Sequence, residues 1–589
     1  MKKSLFLIWV LLAMSCSEDD SASSKLTVTI QPINSLDVTI SWIFEGADGQ
    51  TLYRIVLDGE TLEDAYKGND YTFNVDNNKN YNGVLFAISE NGDETFKEFN
   101  FSTVGNDIWF GNYTIDSQAK ANSFNYTKVT GTLGITRANV THVRNLTSLV
   151  EVGNLIISDS HLRSLEGLEN LQIISNGFIV SDNRYLDDIS AINGISPSIK
   201  NLWIQGNPNL SSLGGISMNE NSVSVRITES VIENLDGLSD MNSLESLRLL
   251  NLPNLTSIAG LSNVSTIARE IELKNLPSLL NLQGFISIEN LDIDLKIIDL
   301  NIESFTGLNS LKNAKRLILE NLPNVQNLEG LSSLEMVEGD FIVDNLPQLQ
   351  TTSGLSNLHT VTESVEFTNT PNLSSISDLS GLVTVGKNLE IQSLALNSLN
   401  GLQNLTEIGR TLTLRDVDVS NLNELQSLTV LGGLSLSDMG IQSLAQLNNL
   451  ETFHNTAGRL TLINLPNLTS LDGLGLLSGV RGSLIFKNLP SLSNFDALTN
   501  IQTVIPWYSG GFNFRVENCD QITNLDAFSN VISSTNYGFF SGNIKDNNAL
   551  TDLCGIRPFI LSVDNIFWIT RGNAYNPTKN QMINNACSL

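Results

Sequence analysis

The sequence is short of the residues on which most catalytic and metal-binding chemistry depends. Its 589 residues include four histidines and four cysteines, and 33 Lys and Arg stand against 62 Asp and Glu, which gives a net charge of −29. This shortage of positive charge argues against nucleic acid and anionic membrane surfaces as partners, because both attract cationic proteins. The acidic excess favours solubility and a location outside the cell.

The few histidines give no catalytic or metal-binding spacing. They are His142, His161, His359 and His454, and no H-x-x-x-H or H-E-x-x-H pattern occurs. The sequence also lacks a P-loop, a G-x-G-x-x-G after a strand and a G-x-S-x-G elbow. We therefore expect a protein that is not an enzyme and that needs no metal or cofactor.

Long apolar runs are absent except near the start of the chain. A run of ten residues from Leu5 to Met14 follows Lys2 and Lys3 and precedes Ser15 and Cys16. It is too short to span a bilayer core of about 30 Å, and it has the length of a signal-peptide core. One interpretation is an ordinary secretion signal that is cut near Ser15.

The other interpretation depends on the cysteine. A small residue directly before Cys16, behind such a run, resembles the lipobox of bacterial lipoproteins. The resemblance implies that residues 1–15 are removed and that Cys16 is lipidated. The acidic residues 17–20 resemble the surface-export tag of Bacteroidota-type lipoproteins, or they are a solvated linker within residues 16–25. The lipoprotein resemblance implies a lipid anchor in the outer membrane and a chain facing the cell exterior.

Residues 26–103 read as short alternating strands separated by turn signals, a pattern typical of a small β-sandwich. The predicted strands are Leu26–Ile30, Asp37–Trp42, Thr51–Leu57, Tyr71–Val75, Gly83–Ile88 and Thr95–Phe101. Trp42 and Tyr81 resemble the core tryptophan and the tyrosine corner of fibronectin type III domains. The resemblance implies a spacer that lifts the rest of the chain from the membrane, with ligand binding as the alternative.

From Leu133 onward an alternating apolar pair recurs every 22 to 26 residues. The strand centres are Ile135, Ile157, Val180, Ile204, Ile227, Leu249, Leu273, Ile297, Leu319, Val343, Phe367, Ile391, Leu414, Leu436, Leu462 and Phe486. A regular period of this length indicates a solenoid, in which each coil buries its apolar face against its neighbours. Such a scaffold offers a long surface for binding.

In its fullest form each strand is followed by Asn-Leu-Pro-x-Leu, as at 251–255, 275–279 and 488–492. The pattern differs from the L-x-x-L-x-L-x-x-N of leucine-rich repeats, because the Asn lies two residues after the strand centre. It resembles the receptor L-domain, which implies an all-β, right-handed β-helix-like solenoid of about 18 coils at 131–550. Aromatic-rich residues 104–130 are then the N-terminal cap, and residues 551–589 are the C-terminal cap.

Two positions mark the corners of each coil, an Asn or Asp after the strand and a Gly farther along the coil. The Asn or Asp after the strand is expected to cap turn N–H groups, and aspartate pairs such as Asp159 with Asp182 leave Ca²⁺ as an alternative. A Gly that usually precedes a Leu, such as Gly260 or Gly307, suggests a positive-φ bend. His142 and His161 fall in adjacent coils. We expect two surface histidines, and the alternative is a pair that binds a metal ion.

If Cys16 is lipidated, three cysteines remain. Cys554 and Cys587 are the pair that we expect to form a disulfide, which would staple the C-terminal end of the solenoid in an oxidising compartment. Cys519 stands where other coils place Leu, and we expect it to be a buried, inert thiol.

The period lengthens to about 30 residues after Phe486, and the additional residues include many aromatics. The candidate ligand patch consists of Trp507, Tyr508, Phe512, Tyr537, Phe539, Phe540 and Trp568. Aromatic rings beside glycine-rich loops suit a glycan or protein contact, and the alternative is a cap that covers the last coils.

The leading hypothesis is a non-enzymatic binding or adhesion protein that recognises a protein or glycan through the solenoid. The alternative is glycan capture for nutrient uptake through these aromatics.

Overall fold

The computed structural model describes residues 26–589, apart from 33–36, 48, 77–78, 104–107, 193–198, 215, 217–222, 394, 454–457, 508–510 and 536–538. The predicted signal sequence, Cys16 and the acidic linker lie outside the described residues. The chain divides into two compact units, one ending at Ile199 and the other beginning at Lys200. The predicted fold class is confirmed: the protein is all-β, with a parallel β-solenoid preceded by small antiparallel sheets.

The first unit begins with seven strands in two antiparallel sheets, ordered β1-β2-β5 and β4-β3-β6-β7. They are β1 (Leu26–Pro32), β2 (Asp37–Phe44), β3 (Leu52–Leu57), β4 (Glu60–Tyr66), β5 (Asp70–Asn74), β6 (Asn80–Ile88) and β7 (Glu94–Ser102). Six of them match predicted strands. The prediction missed β4, because an edge strand with few buried residues shows no alternation of apolar and polar residues.

The core of this sandwich is aromatic. The ring of Trp42 is buried, and its centroid lies 5.1 Å from that of Tyr53. The hydroxyl of Tyr81 accepts a hydrogen bond of 2.6 Å from the backbone N–H of Asp76. This bond satisfies a polar group at the end of an otherwise apolar, buried side chain.

The first coils of the solenoid complete this unit. The elements are β8 (Ile108–Trp109), β9 (Tyr113–Ile115), α1 (Gln118–Asn122), β10 (Lys128–Thr136), β11 (Glu151–Ser158) and β12 (Ile173–Ser181). Parallel pairing places Ile135 opposite Ile157 and Ile157 opposite Val180, as the period predicts. Trp109 packs edge-on against Tyr113 and Tyr126, with centroids 5.0 and 5.3 Å apart. These rings form an aromatic cluster beside the first long strand.

The second unit contains a parallel ladder of sixteen long-sheet strands among the described residues. They are β13 (Asn201–Gln205), β14 (Val223–Thr228), β15 (Ser243–Leu250), β16 (Thr266–Leu276), β17 (Asn290–Leu300), β18 (Asn313–Glu320), β20 (Phe341–Asp344), β22 (Val365–Thr368), β24 (Leu389–Gln392), β25 (Glu407–Arg415), β26 (Val430–Ser437), β28 (Leu460–Ile463), β30 (Ser483–Lys487), β32 (Phe512–Glu517), β34 (Phe540–Lys545) and β35 (Ile566–Arg571). The predicted centres are paired in register, as Leu249 with Leu273 and Leu462 with Phe486. Each buries an apolar side chain, worth about 1.5–3 kcal/mol.

Short strands add a second parallel face that the sequence analysis did not predict. They are β19 (Met336–Val337), β21 (Thr360–Val361), β23 (Thr384–Val385), β27 (Thr452–Phe453), β29 (Gly479–Arg481), β31 (Thr503–Ile505) and β33 (Ile532–Ser533). Strands of two or three residues are too short to show a period.

Helices are short. The 3₁₀ turns are Asp236–Leu238, Ala259–Leu261, Gln283–Phe285, Ser377–Gly381, Asn423–Leu425, Ala445–Asn449, Asp496–Leu498, Asp526–Phe528 and Cys554–Ile556. The α-helices α2 (Arg557–Leu561) and α3 (Lys579–Ile583) lie near the C-terminus. None of the helices in the described part of the chain has the length and apolar character needed to cross a membrane.

The turn after each strand differs from the prediction. Asn251, Asn275 and Asn321 have φ near +55°, in the left-handed region that Asn tolerates better than most residues. Their amides bond one another from coil to coil, as where Asn275 Nδ2 donates to Asn251 Oδ1 at 2.8 Å. The expected capping of turn N–H groups is therefore wrong for these asparagines, which supply the conformation and a side-chain ladder.

The corner glycines are only partly as expected. Gly307 and five others have positive φ, but Gly260 and Gly284 lie in 3₁₀ turns without it. A Cβ at Gly260 would overlap the carbonyl oxygen of Leu235 in the preceding coil. The close approach of neighbouring coils, more than a positive φ, therefore explains the glycine at this corner.

Candidate functional site

The long sheet of the second unit displays one side chain per coil directly before each strand centre, pointing away from the core. We call this column the outward strip. Its members are Trp203, Arg226, Arg248, Glu272, Lys296, Ile318, Ile342, Glu366, Glu390, Thr413, Ser435, Thr461, Ile485, Arg515, Asn543 and Ile569. They are opposite one another in register, so neighbouring strip residues can contact a common partner.

The outward strip contrasts with the inward column beside it. From Ile204 to Ile544 the inward centre residues are all apolar and buried. A close-packed interior admits only apolar side chains whose shape fits the available space. The outward strip instead varies along the ladder in charge, polarity and size. Thr413, Ser435, Thr461 and Asn543 are buried, and the other members are the ones available for recognition.

A groove of about 550 Å³ lies on this surface across β15 to β18. It is lined by Arg248, Arg269, Glu270, Ile271, Glu272, Ile293, Asp294, Lys296 and Lys315. Arg248 bridges two carboxylates, at 2.9 Å from Glu270 and 3.2 Å from Glu272. The groove is therefore a cross-strand array of alternating charges.

Asp294 is the carboxylate at which the cations of this groove converge. Arg316 donates from Nη2 to Asp294 Oδ2 at 2.5 Å, and this hydrogen bond lowers the pKa of Asp294. Lys296 and Lys315 lower the same pKa through their charges. Three cations thus surround one carboxylate, and the immediate surroundings of Asp294 carry surplus positive charge.

Farther along, the outward strip becomes acidic. Glu366 lies directly opposite Glu390 in the ladder. Burial raises the pKa of Glu366, and the charges of Glu390, Asp340 and Asp344 raise it further. Like charges opposite each other destabilise a sheet, so this segment costs stability that the packing of the coils must offset.

Two residues of the predicted ligand patch belong to the interior, and a third, Trp568, is partly buried. Phe512 and Phe540 are almost fully buried, because they stand an even number of residues before their strand centres and so point inward. Trp568 also points inward: its ring lies over Gly542, and its Nε1 donates to the carbonyl oxygen of Pro577 at 3.1 Å. The expectation that Phe512 and Phe540 contact a ligand is therefore corrected, since they fill the last coils. Trp568 covers these coils and is partly exposed.

The other patch aromatics differ from these. Trp507 is 44% exposed and Phe539 is 64% exposed. The indole of Trp507 leaves no room for a Cβ at Gly482, and the guanidinium of Arg481 lies 5.3 Å from its ring centroid. Phe567, one residue before Trp568 and on the outward face, is also more than half exposed. Tyr508 and Tyr537 lie outside the described residues.

The two C-terminal cysteines lie together, and the third described cysteine is isolated. Cys554 and Cys587 form a disulfide across 33 residues of sequence, the pair that the sequence favoured. Cys519 is buried and free. Burial raises the pKa of its thiol to about 12, so the thiol stays protonated and is a poor nucleophile.

The histidine and aspartate pairs have other partners. Gln118 Nε2 lies 3.3 Å from His142 Nδ1, and His161 packs edge-on against Tyr185 with centroids 4.9 Å apart. Asp159 has a positive φ, like the turn asparagines. Within the described ranges no group of three or more His, Cys, Asp or Glu side chains is arranged to hold a metal ion. His454 lies outside those ranges.

Sequence reasoning missed a set of buried asparagines. Asn183 and Asn547 stand three residues after their strand centres and are fully buried. Asn547 accepts a hydrogen bond of 2.9 Å from the backbone N–H of Cys519 and donates one of 3.1 Å to the carbonyl oxygen of Val516. In the leucine-rich-repeat pattern L-x-x-L-x-L-x-x-N the Asn also stands three residues after the strand centre. In these two coils that spacing could have predicted the burial of Asn183 and Asn547.

Comparisons with known proteins add little to this geometry. No protein-family model matches the sequence, and no curated protein matches it. Among solved structures, that of the plant peptide hormone receptor RGFR1 in complex with RGF2 is similar over 83% of this chain and 91% of that chain, with 11% identity and a TM-score of 0.26. A likeness this weak assigns no site, ligand or partner to this chain.

Proposed function

We propose that this protein is a non-enzymatic lipoprotein of the outer membrane, facing the cell exterior, that binds a protein or glycan partner through the outward strip. The observation that carries the proposal is the contrast between two neighbouring columns of side chains. The inward column repeats Leu, Ile, Val and Phe, whereas the outward strip varies from coil to coil. A scaffold that is constant inside and varied outside suits recognition along an extended surface.

The N-terminal segments support the proposed location. The apolar run before Ser15 and Cys16 has the pattern of a lipidation signal. The two-sheet module at 26–102 has sheets of three and four strands, a buried Trp42 and a Tyr81 hydroxyl bonded to Asp76, and these features support the proposal of a fibronectin-III-like spacer. The disulfide between Cys554 and Cys587 suits an oxidising compartment outside the cytosol.

The location is tested by radiolabelled fatty acid and by protease treatment of intact cells. We expect label in the wild-type chain and none in Cys16→Ala, and we expect the wild-type solenoid to be digested without lysis of the cells. An unlabelled wild-type chain, or one protected until lysis, would overturn the proposed anchoring and exposure.

Binding is tested with glycan and protein arrays probed by the full mature chain. The matched variant carries Arg226→Ser, Glu272→Ser, Ile318→Ser and Glu390→Ser, four changes spread along the outward strip. We expect array signals that the variant loses while its circular dichroism and melting temperature stay near those of the wild type. No array signal at all, or signals unchanged in the variant, would contradict binding through the strip.

A second candidate function, glycan capture near the C-terminus, is favoured by the position of Trp507. Its half-exposed indole is held against Gly482 and Arg481, which gives a fixed flat face on which a sugar ring could stack. The test is a glycan array with Trp507→Ala. Trp568→Ala is the structural control, because Trp568 points inward. Glycan signals lost only in Trp507→Ala would support capture, and signals indifferent to Trp507→Ala would exclude it.

A further inference from the structure

The groove across β15 to β18 lies at a stretch of the long sheet where the strand pairing is locally irregular. The pairing of β15 with β16 shifts register between Leu244 and Ser246, and that of β17 with β18 shifts between Leu291 and Asp294. Such irregularities bend a strand and re-aim side chains, and they are frequent beside binding sites. Here they lie directly before residues that line the groove. Similar shifts occur in other coils, as between β11 and β12 and between β25 and β26, so the charged lining is what distinguishes the groove.

Most charges of the groove are already paired. Arg248 holds Glu270 and Glu272, Arg269 is paired with Glu245, and Arg316 holds Asp294. The acidic side chains of the groove are therefore neutralised by arginines within the protein.

Two lysines are left over. The side chains of Lys296 and Lys315 line the groove and have neither a hydrogen bond nor an ion pair with any residue that the structure describes. Of the charged residues that line the groove, four are cations, Arg248, Arg269, Lys296 and Lys315, and three are carboxylates, Glu270, Glu272 and Asp294. In a chain of net charge −29, a locally positive groove stands out as a place that attracts anions.

The lining decides which class of anionic ligand fits. The apolar lining residues, Ile271 and Ile293, are both buried, so the groove offers no exposed pocket for the aromatic or aliphatic anchors of a protein partner. Rows of charged side chains suit a polyhydroxylated ligand that carries anionic groups. Such a ligand can form both charge-assisted and neutral hydrogen bonds with these side chains along its length. The volume of about 550 Å³ lies within the range of small-ligand sites.

We propose that this groove binds an anionic oligosaccharide, whose carboxylate or sulfate group lies between Lys296 and Lys315. The paired carboxylates Glu270 and Glu272 then face the sugar hydroxyls as hydrogen-bond acceptors. The inference depends on the proposed binding function and narrows it to one part of the outward strip and one ligand class.

The test is calorimetric titration of the full mature chain with two probes, a tetramer of galacturonate and a heparin-derived tetrasaccharide. They distinguish a carboxylate from a sulfate as the recognised group, and a neutral tetramer of galactose is the reference. The test variant is Lys296→Gln/Lys315→Gln, and the matched control Lys67→Gln/Lys97→Gln removes the same charge from exposed positions on the β-sandwich.

We expect at least one anionic tetrasaccharide to bind, with an affinity that falls as salt is added. The test variant should weaken it about tenfold or more, since two charge-assisted contacts are lost, and the control should change it less than about twofold. Equal melting temperatures of the two variants exclude unfolding as the cause.

Three outcomes would overturn the inference. They are absence of binding by both anionic tetrasaccharides, equal affinity for neutral galactotetraose, and binding that the test variant leaves unchanged. Tight binding of a poly-glutamate peptide through the same lysines, without saccharide binding, would assign the groove to an acidic protein. If arrays reveal other ligands while both anionic probes fail, the proposed function stands and this inference falls.

Discussion

The side-chain amide of Asn275 donates a hydrogen bond to the amide oxygen of Asn251, one coil earlier, and both residues have a left-handed backbone. The same relationship links Asn345 to Asn321 at 2.7 Å. One residue type therefore meets two requirements at this corner: it tolerates positive φ, and it continues a ladder of amides along the solenoid. This explains why Asn and Asp recur there although no core contact demands them.

Replacing Asn321 separates these two roles. Asn321→Ala removes the bonds to Asp299 and from Asn345 and places an alanine in the left-handed region, which together should cost about 2 kcal/mol of unfolding free energy. Asn321→Gly also removes the hydrogen bonds, but glycine adopts the left-handed conformation without strain. This variant should therefore lower the unfolding free energy by only about 1 kcal/mol. Chemical denaturation measures both, and an alanine variant as stable as the glycine variant would show that backbone conformation is unimportant here.

Gly260 is predicted to be intolerant of any side chain. A Cβ at this position would overlap the carbonyl of Leu235, a backbone atom that cannot move without separating two coils. We expect Gly260→Ala to lower the melting temperature by several degrees or to prevent folding, since overpacking costs about 1–3 kcal/mol or more. Gly475→Ala is the control, because nothing lies within 4 Å of a Cβ there. Equal effects of the two changes would refute the close-approach explanation.

The disulfide should stabilise the C-terminal end. A closed loop of 33 residues between Cys554 and Cys587 corresponds to about 3–4 kcal/mol in the chain-entropy treatment. We expect the double change Cys554→Ala/Cys587→Ala to increase hydrogen exchange in residues 546–589 more than in the coils around Leu249. Uniform exchange across the chain would mean that the bond does not act locally.

Glu366 should make the protein less stable at neutral pH than at acidic pH. Burial and neighbouring carboxylates raise its pKa above 4.5, so the folded state favours the protonated form. Its contribution is then fully present below about pH 4.5 and is lost as pH rises through the raised folded-state pKa. We expect Glu366→Gln to raise the melting temperature near pH 7 and to change it little near pH 4.

The control for this prediction is Glu303→Gln, which removes one negative charge at an exposed corner. If both variants raise the melting temperature equally near pH 7, the effect comes from the net charge of the chain and not from the surroundings of Glu366.

The periodic part of the fold could be predicted from sequence, because inward side chains are constrained by packing. The predicted centres Leu249, Leu273 and Leu319 are in the register that the period requires. The conformation of the turn asparagines was missed, because Asn both caps turns and adopts positive φ. The edge strand Glu60–Tyr66 was missed because it buries too little to show alternation.

The site was harder to predict than the fold. Counting aromatics predicted a patch, but the parity of each residue relative to its strand centre decides whether it points inward, as Phe512 and Phe540 do. Because that parity can be read from the sequence, the inward direction of Phe512 and Phe540 could have been predicted. The groove around Asp294 depends on which charged side chains of neighbouring strands come together, and a single sequence does not display those neighbours.

The most direct test of the central claim is site-specific photo-crosslinking with a ligand selected on the arrays. A photoreactive residue replaces Ile318 in the outward strip in one variant and Leu476 in another, which is 54% exposed but lies outside the strip. Recognition through the outward strip predicts a covalent adduct from position 318 and none from position 476. An adduct from position 476 alone would contradict it.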